Sequence, residues 1–165
     1  MVFNHREHRE GGYFFFFSCH FVCFVVSFIL IPLPKGEIMK IAVIGAGSWG
    51  TTLANLLAQA GNQVHLWVRE AELLNEIKTK GENTWFLPGI ALCPSLKTDS
   101  DLEKVLHKAS CFLLAVPCQY LRSVLEQAQS LFPGNPVLVC ASKGIELSSL
   151  KPMSQVVKDT LSNLE

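Results

Sequence analysis

The chain has 165 residues, enough for one domain with a filled core and too few for two. Fourteen basic residues balance fourteen acidic ones without any Lys/Arg-rich block, which excludes a polybasic nucleic-acid binder. Apolar content of 49% against 17% charged excludes general disorder.

The front of the chain differs in composition from the rest. Eight of the eleven phenylalanines fall within the first 38 residues. Residues 13–31 hold sixteen apolar side chains out of nineteen, broken only by Ser18, His20 and Ser27. That length suits a hydrocarbon core of ~30 Å, so a membrane anchor or an uncleaved signal is one reading. Against it, Arg6 and Arg9 are offset by Glu7 and Glu10, and Pro32 and Pro34 follow in place of a small-residue cleavage site. The competing reading starts translation at Met39. Lys35-Gly36-Glu37 can be encoded by a purine-rich ribosome-binding sequence, and an apolar run begins directly after Met39. The expectation is that residues 1–38 are an apolar, Phe-rich extension from an upstream mis-start, and that residues 39–165 form the functional unit. A membrane-tethered location remains the alternative if residues 13–31 are expressed.

From Met39 onward, short apolar runs alternate with amphipathic stretches. The run 41–44 predicts a strand buried on both faces. A helix follows on Leu53, Leu56, Leu57 and Ala60, stopped by Gly61. A second strand spans 64–68, and a second helix is striped by Leu102, Val105, Leu106 and Ala109. A third strand over 111–116 leads through Pro117 into a helix on Leu121, Val124, Leu125 and Ala128. A strand at 137–140 and a final helix on Met153, Val156, Val157, Leu161 and Leu164 complete the series. Strand alternating with helix predicts an α/β fold with a doubly wound parallel sheet. Cys93, Cys111, Cys118 and Cys140 form no C-x-x-C pair and no cluster at metal spacing, so neither a metal site nor a disulfide scaffold is expected. A reducing cytosol fits these four thiols.

Three segments carry chemistry. Gly45-Ala46-Gly47-Ser48-Trp49-Gly50 is G-x-G-x-x-G between a buried strand and a striped helix, the context that gives the motif meaning. Gly45 suits the tight turn, Gly47 the approach of backbone to a pyrophosphate, and Gly50 close packing of helix on strand, as in Rossmann-type domains. Amides at the helix start would then hold the phosphates. Arg69 and Glu70 stand at the tip of the second strand. An acidic residue there grips the ribose of NAD, whereas Arg69 favours tolerance of NADP; a solvated Arg–Glu pair is the alternative. Ser142-Lys143-Gly144 follows the strand 137–140, where ligands of open α/β sheets collect. Lys143 could meet a phosphate or a carbonyl oxygen there, or be a loop lysine. His65 and His107 read as ordinary strand and helix residues.

Several motifs in order resemble the bacterial-type NAD(P)-dependent glycerol-3-phosphate dehydrogenases. They are the opening 40–51, the loop Asn83-Thr84-Trp85-Phe86-Leu87-Pro88-Gly89-Ile90, the Ala115-Val116-Pro117 turn, and Ser142-Lys143-Gly144-Ile145-Glu146. The resemblance implies a cytoplasmic oxidoreductase that reduces dihydroxyacetone phosphate to sn-glycerol 3-phosphate for phospholipid synthesis. It implies that Ser48 and Trp49 line the dinucleotide phosphates, that Arg69 faces the adenosine end, and that Lys143 touches both cofactor and substrate. It allows a homo-oligomeric full-length enzyme, with a small-molecule phosphate as substrate and no nucleic-acid partner. The family's domain continues beyond Glu165 with further strands and a helical domain that supplies the proton-transfer lysine. No catalytic residue is therefore assigned here, the dinucleotide-binding domain is expected to be incomplete, and the chain alone is expected to be inactive. A non-catalytic NAD(P)-binding module is the alternative. A sheet that stops mid-domain is also expected to leave an edge strand unprotected.

Overall fold

Alternation of buried residues along each strand decides the layering, because successive side chains point to opposite faces of a sheet. A computed structural model describes residues 14–16, 38–134 and 136–162. Among these the strands are β1 (Phe14–Phe16), β2 (Lys40–Ile44), β3 (Gln63–Trp67), β4 (Lys97–Asp99), β5 (Cys111–Leu114) and β6 (Val137–Cys140). The helices are α1 (Ser48–Gln59), α2 (Ala71–Lys80), α3 (Leu102–Leu106), α4 (Cys118–Ala128) and α5 (Met153–Thr160). Every strand pair is parallel, in the order β1-β6-β5-β2-β3-β4. Ile41 and Val43 of β2 join Leu113 and Val139 in a core under α1 and α2. Ala42 and Ile44 join Phe112, Leu114 and Leu138 in a second core under α3, α4 and α5. Phe112, fully buried, meets the Phe132 ring edge-on at 5.0 Å.

The expected doubly wound parallel sheet is what the chain forms. Strand order reverses between β2 and β5: the chain winds outward through β3 and β4, then returns to β5 and β6. Crevices open at the carboxyl ends of strands at such a reversal.

Details depart from the periodicity. The helix expected over 102–109 ends at Leu106, because Lys108 adopts a left-handed φ of 59° and turns the chain into β5. Three elements were not anticipated, among them β1, which lies in the front segment 1–38 expected to stand outside the functional unit. The second is α2, whose Leu73, Leu74 and Ile77 stripe sits among polar residues, and the third is β4, three polar residues at the sheet edge. The outer edge of β6 is not bare, since Phe14, Phe15 and Phe16 pair with Leu138, Val139 and Cys140. Apart from Phe14–Phe16, the proposed membrane segment 13–31 lies outside the described residues, as do Leu164 and the chain end. Among the described residues no helix is long and apolar enough to cross a membrane.

Candidate functional site

The connection from β2 to α1 is made of glycines for three separate reasons. Gly45 has φ +115°, and a Cβ there would lie 2.6 Å from the Ala115 carbonyl oxygen. A Cβ on Gly50 would lie 1.9 Å from the Gly45 carbonyl oxygen and 3.1 Å from the Ala115 Cβ. Both positions are closed by the chain itself, through the tip of β5. Gly47 is unlike them. Its φ of −66° and ψ of 177° suit any residue, and a Cβ built on it meets nothing within 4 Å. Nothing inside the described fold requires glycine there.

Gly47 is also the N-cap of α1, a twelve-residue helix that starts without a side-chain cap and without an acidic residue in its first turn. The contrast with α3 is direct: Asp101 caps that helix, accepting from the amides of Glu103 (3.0 Å) and Lys104 (3.4 Å). The first amides of α1 are thus donors in need of an acceptor, at the positive end of the helix dipole. On the same turn, the Trp49 Nε1 is buried with no hydrogen-bond partner among the described residues. An indole N–H can only donate, so it too calls for an acceptor. An open Gly47, uncapped amides and an orphaned indole N–H together fit an anionic ligand such as a dinucleotide pyrophosphate.

Lys143 joins this turn. It follows β6, and its ammonium lies 5.3 Å from the centroid of the Trp49 ring, a cation–π distance. Ser142 fixes the start of its loop, donating to the Val116 carbonyl at 2.6 Å. Gly144, at φ +115°, passes so close to Cys118 that a Cβ would stand 3.1 Å from its sulfur. The ends of β2, β5 and β6 therefore bring Gly45, Gly47, Ser48, Trp49, Gly50 and Lys143 to the same end of the sheet. Arg69 sits at the same end of the sheet, two residues past Trp67, which pairs with Ile44. Its guanidinium is turned to Glu70, donating from Nε (2.9 Å) and Nη2 (2.7 Å) to one carboxylate oxygen, with most of the Arg69 side chain exposed. Arg69 is thus engaged by its neighbour and is not drawn to the Trp49–Lys143 pair.

A polar network underneath was invisible to periodicity. Asn83, fully buried, donates from Nδ2 to the Ala46 carbonyl (2.9 Å) and the Thr51 hydroxyl (2.8 Å), and accepts from the Phe86 amide (3.0 Å). The Thr51 hydroxyl also bonds the Ala46 carbonyl at 3.1 Å. Asn55 likewise holds the Cys93 amide at 2.7 Å. The loop carrying Trp85 and Phe86 is thereby fastened to the glycine turn and to α1. A lone asparagine outside a periodic run carries no sequence signal of such a role.

The thiols and histidines stand apart from this chemistry. Burial pushes the Cys111 and Cys140 thiols up to about 11, and it pulls His65 below its ordinary value inside β3. Among the described residues, no group of three or more His, Cys, Asp or Glu side chains could hold a metal ion.

The same segments are recognised by comparison with known proteins. The family model of the NAD-dependent glycerol-3-phosphate dehydrogenase N-terminus matches residues 40–165. The chain belongs to that family. Among curated relatives, a glycerol-3-phosphate dehydrogenase [NAD(P)+] from Maridesulfovibrio salexigens is 57% identical over 126 residues, covering 76% of this chain and 38% of the relative. One of the same name from Solidesulfovibrio magneticus is 49% identical over 127 residues, covering 77% and 38%. The crystal structure of glycerol-3-phosphate dehydrogenase from Coxiella burnetii superposes with a TM-score of 0.71 at 31% identity, covering 75% of this chain and 38% of that one. The chain therefore spans a little over a third of the length of these relatives, and its match is to their dinucleotide-binding front portion.

Proposed function

We propose that this chain is the cofactor-holding part of a glycerol-3-phosphate dehydrogenase, in which NADH or NADPH delivers hydride to dihydroxyacetone phosphate and gives sn-glycerol 3-phosphate. The observation that carries the reading is the meeting of uncapped α1 amides, the orphaned Trp49 Nε1 and the Lys143 ammonium at the β2–β5 crevice. Gly45 and Gly50 shape the turn; Gly47, Ser48 and Trp49 face the pyrophosphate; Lys143 contacts the cofactor and, in the full enzyme, the substrate phosphate or carbonyl. Arg69 faces the adenosine end, where swinging from Glu70 to a 2′-phosphate would let NADP be tolerated. The bound dinucleotide supplies the hydride. This chain's own groups bind and orient it.

By family resemblance the lysine that protonates the substrate oxygen lies outside the matched segment 40–165, so the described residues are assigned to binding and orienting the dinucleotide and not to proton transfer. The complete enzyme, on the same resemblance, is a cytoplasmic supplier of phospholipid precursor, for which the resemblance allows a homo-oligomer. The test is a pair of titrations of the chain with NADH and NADPH, monitored by nucleotide fluorescence, for the wild type and Arg69→Ala. Binding of both, with Arg69→Ala weakening NADPH more than NADH, supports the reading. Absence of binding refutes cofactor holding, and equal weakening of both refutes the 2′-phosphate role.

A further inference from the structure

Lys143 lies in the twelve-residue connection 141–152 between β6 and α5, which holds no helix or strand but closes on itself after Lys143 through an antiparallel bridge between Ile145 and Pro152. A lysine on such a loop would ordinarily be mobile, yet this loop is held on both sides of it. Ahead of Lys143, Ser142 is bonded to Val116. Behind it, α4 holds three consecutive residues. Gln119 donates from Nε2 to the Ile145 carbonyl (3.0 Å) and accepts from the Leu147 amide at Oε1 (3.0 Å), so one amide side chain pairs with the loop backbone as a neighbouring strand would. Three residues on, along the same helix face, Arg122 donates from Nε and Nη2 to the two Glu146 carboxylate oxygens at 2.9 and 2.8 Å.

Glu146 is the only charged residue among the described residues that is buried, its side chain 6% exposed. A carboxylate is placed in such a position only if its charge is paired and its oxygens are satisfied. Arg122 does the first, and Ser149 adds a further donor to the oxygen facing it. Arg122 in turn reaches the Thr160 hydroxyl of α5 at 3.4 Å, joining loop, α4 and α5. Gly144, pressed against Cys118, leaves little backbone freedom between these bonds and Lys143. The lysine backbone is fixed within two residues on one side and one on the other, while its side chain rests on Trp49.

We infer that Gln119, Arg122 and Glu146 are positioning residues that set the place of Lys143, and that they govern dinucleotide affinity through it. The inference rests on the proposed role of Lys143 as a cofactor contact. Fixing the loop in advance removes the ordering cost that a mobile lysine would impose on binding.

The test is a set of double-mutant cycles on the full 165-residue chain, read as NADH dissociation constants, with circular dichroism confirming that each variant is folded. Lys143→Ala should weaken NADH about tenfold, and Glu146→Gln and Gln119→Ala each severalfold. In the Lys143→Ala background neither should weaken binding further. Such non-additivity is not produced by a general loosening of the fold, which would add to the loss of Lys143. Additive effects, or wild-type affinity in both Glu146→Gln and Gln119→Ala, overturn the inference while leaving the cofactor role of Lys143 intact. Unchanged affinity in Lys143→Ala overturns that role and the inference with it. Gln119 is exposed, so its cycle decides the matter even where Glu146→Gln fails to fold.

Discussion

Substituting Gly47 by serine should separate the fold from the ligand site more cleanly than any other change in the glycine turn. Gly47 occupies a conformation open to all residues, and its Cβ direction is unobstructed to 4 Å. Serine is a better N-cap than glycine by a few tenths of a kcal/mol and restricts the unfolded chain by a further ~0.4–1 kcal/mol. The fold should therefore lose nothing, and Tm should hold or rise by roughly 2–5 °C. The ligand site should fail. The new hydroxyl accepts from the Trp49 or Gly50 amide, the donors left over at the uncapped helix start, and its Cβ stands where the phosphates would approach. A hydrogen bond to a charged group contributes ~1.5–3 kcal/mol, so NADH should bind roughly 10- to 150-fold more weakly. The control is Gly50→Ala, whose Cβ would stand 1.9 Å from the Gly45 oxygen. Overpacking of that kind costs ~1–3 kcal/mol or more and should lower Tm. Thermal unfolding and NADH titration of both variants suffice. Wild-type NADH affinity in Gly47→Ser, or a loss of stability equal to that of Gly50→Ala, would refute the division of roles among the three glycines.

Three further outcomes follow from the geometry. Phe112→Ala removes a fully buried ring and its edge-on partner contact, and should lower unfolding free energy by ~3–5 kcal/mol in urea titrations. Iodoacetamide at pH 8 should label Cys93 and Cys118 in the native chain but reach Cys111 and Cys140 only after denaturation, because burial both covers those thiols and raises them to about 11. Peptide mass mapping reads this directly, and native labelling at Cys140 would contradict the packing of β6. Hydrogen bonding to Arg122 and Ser149 lowers the Glu146 carboxyl from 4.5 to about 2. Its contribution is complete above the unfolded value and is lost as pH falls toward 2, so the urea midpoint should drop between pH 4.5 and 2. Glu146→Gln should flatten that drop without steepening stability loss at neutral to alkaline pH.

How far these features can be read in advance depends on the kind of physics behind each. The runs at 41–44, 111–116 and 137–140 announce strands because a parallel strand covered on both faces has no room for polar residues, and their burial is nearly complete. Helices α1 and α4 announce themselves through one apolar stripe. Element α2 escaped because its stripe is only Leu73, Leu74 and Ile77, and β4 escaped because an edge strand of Lys, Thr and Asp has no apolar pattern at all. The glycine turn was legible because strand, glycines and helix are consecutive in the chain. Asn83, fastened to Ala46 across 37 positions, was not. Hydrogen bonds between distant segments depend on the folded path, and no local spacing encodes them.

The same contrast bears on how the crevice is organised. Trp49, Ala115 and Lys143 come from three strand ends that are remote in sequence, and parallel pairing alone brings those ends together. Pairing sets strand ends to within a residue, whereas recognition of a phosphate or a carbonyl requires placement within about 0.5 Å. The difference is made up by polar side chains that tie each loop to its neighbour: Asn83 and Thr51 to the Ala46 carbonyl, Ser142 to Val116, and Gln119 and Arg122 to the three residues after Gly144. Each tie leaves polar capacity unspent on the chemistry-bearing residue beside it. Gly47 supports no packing, Trp49 Nε1 has no partner, and Lys143 forms no ion pair among the described residues. On the proposed cofactor role, the groups with unspent donors contact the ligand while their bonded neighbours hold the loops, and mutations in the two sets should divide accordingly. Changes at the contact groups should lower affinity at constant stability, and changes at the ties should lower both.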